Sequence, residues 1–122
     1  YEVRHWDWSI ENKITWLMRL LNKARNENPA LQQTRHYQAL NLENQALYAY
    51  HKWEGNNHIL CVVNLDPYQS QEGWVQIPTE LRREAGINLH DLASGNAYHW
   101  QGEWNYVRLD PALPFHLFKV EL

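Results

Sequence analysis

Fourteen carboxylates, seven histidines, one cysteine, seven tryptophans and seven tyrosines are the side chains of this 122-residue chain with chemistry to offer. Glycosidase-type catalysis needs two carboxylates facing each other across a cleft, one of them with a raised pKa. Most Asp and Glu here fall in turns or at exposed helix positions. The conspicuous pair, Asp66 and Asp110, both occur as Leu-Asp-Pro. There the Asp side chain caps a turn and the Pro blocks further pairing. The histidines form no His-x3-5-His set beside Cys or carboxylate ligands, and the nearest pair, His51 and His58, flanks one hairpin turn. A zinc site usually takes three or four ligands, so no metal is expected. Cys61 sits in the most apolar stretch, where a thiolate is costly, and no nucleophile-elbow motif is present. These residues are expected to hold no catalytic site and to need no cofactor.

The aromatic residues are the remaining candidates, for binding. Tyr98 and Trp100 share one face of a predicted strand, and Trp104 and Tyr106 share one face of the next, across a two-residue turn. Pointing outward, the four would form a platform able to stack on pyranose rings. Pointing inward, they are core or interdomain packing. Val107 and Leu109 lie opposite Trp104 and Tyr106, so both faces are partly apolar and the pattern leaves the two readings open.

The elements that must position these groups begin with an aromatic, charged stretch over 1–8, read as an extended approach segment. Ser9 then offers an N-cap, with Glu11 in the first turn. Ile10, Ile14, Leu17, Leu21 and Ala24 recur at helical spacing until Asn28-Pro29 stops the pattern, predicting one helix over about 10–26. These five lie within about 80° of arc, but Met18, Leu20 and Trp16 widen the apolar arc to about 200°, where a surface helix needs about 100°. The surplus implies a helix lying between two bodies, the alternative being a helix sunk deeply in one small core.

Beyond Pro29 the period becomes two. Eight strand candidates separated by turns indicate a mainly β fold, an antiparallel β-sandwich or barrel. Its centre is predicted at His58–Pro67, where Ile59-Leu60-Cys61-Val62-Val63 is a short apolar run bounded by Gly55-Asn56-Asn57 and Asp66-Pro67. Such a run reads as a strand buried on both faces. Pro78–Glu84 reads as one or two helical turns closed by Gly86. The net charge of −3 without a basic run argues against nucleic acid. No segment has membrane-spanning length. A lone buried cysteine fits a reducing, cytoplasmic compartment. The chain opens Tyr-Glu-Val-Arg without an initiator methionine and reads as an excised piece.

The helix ending in Asn28-Pro29-Ala30-Leu31-Gln32, the hairpin and Val62-Val63-Asn64-Leu65-Asp66-Pro67 resemble the tail of an α-amylase-superfamily enzyme, glycoside hydrolase family 13. More narrowly, several motifs resemble the bacterial α-1,4-glucan:maltose-1-phosphate maltosyltransferases. They are Gly73-Trp74-Val75, Asp91-Leu92 with Ser94-Gly95, Tyr98-His99-Trp100, Asn105-Tyr106-Val107-Arg108-Leu109-Asp110-Pro111 and Pro114-Phe115-His116-Leu117-Phe118. The match covers essentially the whole chain. Pro-Ala-His is commoner in that family where this chain has Pro114-Phe115-His116.

The resemblance implies a parent enzyme that transfers maltosyl units from maltose 1-phosphate to α-1,4-glucan with retention. Its aspartate nucleophile and glutamate acid/base would lie in an upstream (β/α)8 barrel. Residues 1–28 would then be the terminal segment and last barrel helix, and 29–122 a C-terminal all-β domain that packs on the barrel and stabilises it. The alternative is a carbohydrate-binding module contacting α-glucan through surface Trp and Tyr. Tyr1 matches the tyrosine of a Lys-Tyr pair that contacts the donor disaccharide in that family. The partners expected are the catalytic barrel of the same polypeptide and, secondarily, α-glucan or a second copy meeting the helix face, with no nucleic acid and no membrane.

Overall fold

A computed structural model describes the backbone of residues 2–121 and the side chains of residues 15–121. Helix α1 spans Glu2–Glu27 and is followed by a 3-10 turn, Pro29–Gln32. Eight strands complete the chain: β1 (Tyr37–Ala39), β2 (Leu47–Glu54), β3 (Asn57–Asn64), β4 (Gln71–Gln76), β5 (Ile87–Asp91), β6 (Ala97–Trp100), β7 (Trp104–Leu109) and β8 (Phe115–Glu121). The mainly β reading and the strand count are borne out.

The helix start is corrected. The stretch over 1–8 was expected to be extended and Ser9 to cap the helix, yet α1 begins at Glu2. Residues 2–8 contain neither Pro nor Gly, so a helix nucleated in the amphipathic part meets no breaker as it propagates backward. The C-terminal stop is as expected. Asn28 is extended (φ −128°), as a residue before proline tends to be.

The strands form a six-stranded antiparallel sheet, order β1-β2-β3-β8-β5-β6, and a two-stranded ribbon, β4-β7. β3 lies between β2 and β8, with Cys61 opposite both Tyr50 and Leu117. Its apolar run serves both faces. Leu60 and Val62 face the ribbon, in a core with Leu47, Leu89, Trp100, Phe118 and Val120 from the large sheet and Val75, Val107 and Leu109 from the ribbon. Ile59 and Cys61 face the opposite way, into a second cluster with Leu117, Ala30 and Ala24 of α1. A continuous apolar run rather than an alternating one is what such two-sided burial requires.

Two polar contacts fix the helix to this framework. The side chain of Asn28 is buried, donates to the Ala24 carbonyl (2.8 Å) and accepts from Asn57 Nδ2 (3.0 Å). Asn57 Oδ1 in turn accepts from the Ala30 amide (2.9 Å). The β2–β3 turn therefore holds the C-terminal end of α1 in one orientation. Between β4 and β5, the expected helical turn is the 3-10 segment Thr79–Leu81, and Gly86 closes it at φ +85°. A Cβ there would lie 2.5 Å from His99 Nε2 and 2.7 Å from the Trp100 carbonyl, so both conformation and space demand glycine.

Candidate functional site

Among the described residues, the catalytic candidates singled out from the sequence, Asp66, Asp110 and Cys61, have structural roles. Asp66 Oδ1 accepts from the amides of Tyr68 (2.9 Å) and Gln69 (3.2 Å), and Oδ2 from Gln71 Nε2 (2.8 Å). It caps the turn that ends β3, and the Tyr68 hydrogen bond first, then Gln71, hold its pKa below the usual carboxylate range. Asp110 departs from expectation. Its side chain accepts from Ser70 and faces Arg108 (3.8 Å), while its backbone carbonyl, not its carboxylate, closes the turn to Leu113. Cys61 is buried, and burial pushes its thiol up to about 11, so it is an inert filler.

The two histidines flanking the β2–β3 turn do meet. His51 Nε2 and His58 Nδ1 are 2.9 Å apart, and the His51 ring packs at a tilt against Trp53, with centroids 4.6 Å apart. Among the described residues no group of three or more His, Cys, Asp or Glu is placed to hold a metal. The two rings are instead joined by one nitrogen-to-nitrogen hydrogen bond, whose direction is set by their tautomers. His51 is fully buried, and burial first, then the His58 ring, lower its pKa to about 4, against a smaller opposing pull from Glu80. A histidine whose folded pKa lies below its unfolded value of 6.5 contributes stability present above that value and lost as pH falls. Between pH 6.5 and about 4 the folded state is therefore expected to lose on the order of 2 kcal/mol on this account. Urea unfolding of the wild type and His51→Gln across that range checks it, since the variant should lack this part of the acid limb.

Asp91 is the strongest buried polar centre. It is 0% exposed and gathers four donors, including His116 Nδ1 at 2.8 Å and Ser94 Oγ at 2.8 Å. Ser, His and Asp thus converge, but both Ser94 and His116 bond to the carboxylate and not to each other. A nucleophilic triad needs the serine hydroxyl on the imidazole. This arrangement clamps a turn and activates nothing.

The four aromatic residues singled out from the sequence do not share a surface. β6 pairs with β5 and β7 with β4, so the expected hairpin between them is instead a crossing from one layer to the other. Trp100 points into the core at 5% exposure, and Tyr98, on the same face, packs its ring edge-on against His116 and Phe118. Trp104 and Tyr106 turn outward on the ribbon. There they meet Trp74, which was not among the candidates: it stands opposite Tyr106 in register, with ring centroids 5.8 Å apart. Alternation along Gln71–Gln76 was the available signal for it.

The second exposed apolar surface begins on α1. Leu17 and Leu20 are half-buried and Ala24 is buried against the sheet, while Trp16 (43% exposed), Met18 (58%) and Leu21 (44%) are left open. The side chains of Ile10 and Ile14, and all of Tyr1, lie outside the described residues. On the same side of the molecule, the outer face of the large sheet carries half-buried Tyr50, Val63 and Phe115, with Tyr48 and Tyr37 exposed beside them. The sandwich therefore covers one flank of the helix and leaves another apolar flank uncovered, as the wide apolar arc implied.

Comparison with known proteins agrees with this geometry. The family described as GLGE, C-terminal, matches residues 39–120. Over 99% of its length the chain is 41% identical to the α-1,4-glucan:maltose-1-phosphate maltosyltransferase of Salinibacter ruber, and over its whole length 37% identical to that of Chlorobaculum tepidum. It spans only 19% and 20% of those two proteins. In fold it is similar to part of a maltogenic α-amylase from Thermotoga neapolitana, at TM-score 0.72 and 16% identity, covering 92% of this chain and 26% of that one. An α-amylase from Geobacillus thermoleovorans shares the fold at TM-score 0.63 and 13% identity, over 80% of this chain and 20% of that one. The chain belongs to the GLGE C-terminal domain family.

Proposed function

We propose that this chain is the non-catalytic C-terminal part of an enzyme that transfers maltosyl units from maltose 1-phosphate to α-1,4-glucan, and that its own task is to pack on the catalytic barrel and stabilise it. The observation that carries this reading is the uncovered flank of α1, where Trp16, Met18 and Leu21 stay exposed beside the tyrosines of the large sheet. Exposed apolar groups clustered this way mark an interaction surface. A barrel preceding residue 1 in the same polypeptide is the occupant nearest at hand, because α1 joins the two directly. In this reading residues 1–28 belong to the barrel's end and 29–122 form the β domain. Tyr1, following a lysine, would contact the donor disaccharide in the complete enzyme, which would work in the cytoplasm. A second copy of the chain meeting the helix face is the arrangement to expect when the barrel is missing.

The test compares Leu21→Lys in the full-length polypeptide and in residues 1–122 alone. In the full-length protein the substitution should lower the thermal midpoint and reduce phosphate release from maltose 1-phosphate with maltohexaose as acceptor. In the isolated chain, diluted until it is monomeric, it should leave the unfolding midpoint unchanged, and the isolated chain should release no phosphate. Equal destabilisation in both contexts would show that this flank is intradomain core and sink the docking role.

A further inference from the structure

We propose that the outer face of the β4–β7 ribbon is a glucan-binding strip, a second site built from Trp74, Trp104 and Tyr106 and ending in a polar notch beside Glu72 and Arg108. The ligand class rests on the maltosyltransferase reading above, while the strip itself rests on the geometry that follows.

Antiparallel register places Glu72 opposite Arg108, Trp74 opposite Tyr106 and Gln76 opposite Trp104. Alternation then sends all six side chains to one face of the ribbon and leaves Val75, Val107 and Leu109 to the core. The three aromatic rings are exposed, and Trp74 meets Tyr106 edge-to-face. From Trp104 to Arg108 the strip runs about 14 Å at the usual rise of a strand, which suits a short oligosaccharide better than a single sugar. At its end is an open depression of about 380 Å³ lined by Asn44, Ser70, Gln71, Glu72 and Arg108.

The chemistry fits a pyranose chain. A sugar ring presents a flat array of C–H bonds to an aromatic face and hydroxyls around its edge. Here rings alternate with groups able to bond hydroxyls. Glu72 already orients the Tyr106 hydroxyl, which donates to it, and Gln76 Nε2 is held by Glu103 at 2.7 Å. The apolar groups of this face are all aromatic, whereas the α1 flank mixes Trp16 with Met18 and Leu21. The strip also lies on the layer opposite α1, so a barrel covering the helix and the large sheet would leave it open.

Affinity electrophoresis of the full-length polypeptide in native gels containing glycogen tests this, beside transfer assays with glycogen and with maltohexaose as acceptors. Wild-type protein should be retarded by glycogen. Trp74→Ala and Trp104→Ala should each weaken that retardation about fivefold, with thermal midpoints unchanged and turnover on maltohexaose retained. Retardation that persists in both variants, or is absent from a wild-type protein that transfers maltosyl units, overturns the strip and leaves the maltosyltransferase reading standing. A polypeptide that transfers no maltosyl units but is retarded through Trp74 and Trp104 overturns that reading and leaves the strip.

Discussion

Replacing Phe118 with alanine is expected to lower the free energy of unfolding by about 3–5 kcal/mol, a large part of what a domain of this size commands. Phe118 is 1% exposed in the middle of β8, opposite Leu60 of β3 and Asp91 of β5. Its ring meets Trp100 edge-on at 5.2 Å and Tyr98 at 5.5 Å, and stacks with His116 at 4.7 Å. Truncation removes transfer energy and leaves a void that strands locked on both sides cannot close. Phe118→Leu keeps most of the volume and should cost about 1 kcal/mol. Trp104→Ala, on the exposed face, should stay within about 0.5 kcal/mol. Urea unfolding followed by circular dichroism measures all three, with slopes unchanged if only stability moves. A Phe118→Ala cost no larger than that of Trp104→Ala would mean that the core does not run through β8.

The central strand was legible because two-sided burial writes itself into sequence as an unbroken apolar run, and Ile59–Val63 is such a run. The strand count was legible because Gly, Asn and Pro punctuate every turn. Layer assignment was not. β6 and β7 are separated by Gln101–Glu103, a spacing that reads equally as a hairpin or as a step between sheets. The structure takes the step, with the Gln101 amide bonded to Asn105 Oδ1 (3.0 Å) rather than to a ladder partner. That one choice decides where four aromatic residues point. Trp100 goes to the core, Trp104 and Tyr106 go to solvent, and Trp74 joins them from a strand 30 positions earlier. Cross-strand neighbours depend on pairing, which a single sequence does not disclose.

The docking flank was more legible than the aromatic strip because it depends on local geometry alone. A helix with about 200° of apolar surface has more than one flat sheet can cover. The contacts that aim the helix, Asn28 to Asn57, were present only as two turn signals. Asparagine is common at such positions for backbone reasons, so nothing marks a pair 29 residues apart as bonded. Buried amide pairing fixes direction where apolar packing tolerates sliding. On the docking role proposed above, direction is the property that matters.

Asp91 should show the second large effect, and its test separates packing from polar clamping. Its carboxylate is wholly buried on the inner face of β5 and accepts from Ala93 N (3.0 Å), Leu117 N (3.1 Å), Ser94 Oγ (2.8 Å) and His116 Nδ1 (2.8 Å). An ionised carboxylate only accepts, so Nδ1 carries the hydrogen. Burial works against the charge, but the His116 bond and then the three others outweigh it and hold the pKa below the ordinary carboxylate value. Asp91→Ala strands four donors in the core and should cost about 3–5 kcal/mol. Asp91→Asn keeps the shape but aims an N–H2 group at donors, and should cost about 2–3 kcal/mol. The pH dependence gives the sign. A depressed folded pKa contributes stability that is fully present above the unfolded value and lost as pH falls through the folded one. The gap between wild type and Asp91→Asn should therefore be constant at neutral pH and shrink below about pH 4, the ordinary range for aspartate. A gap that does not narrow in acid would mean that the asparagine is costly for its shape alone, and that the charge on Asp91 is not what joins the Asp91–Asn96 turn to β8.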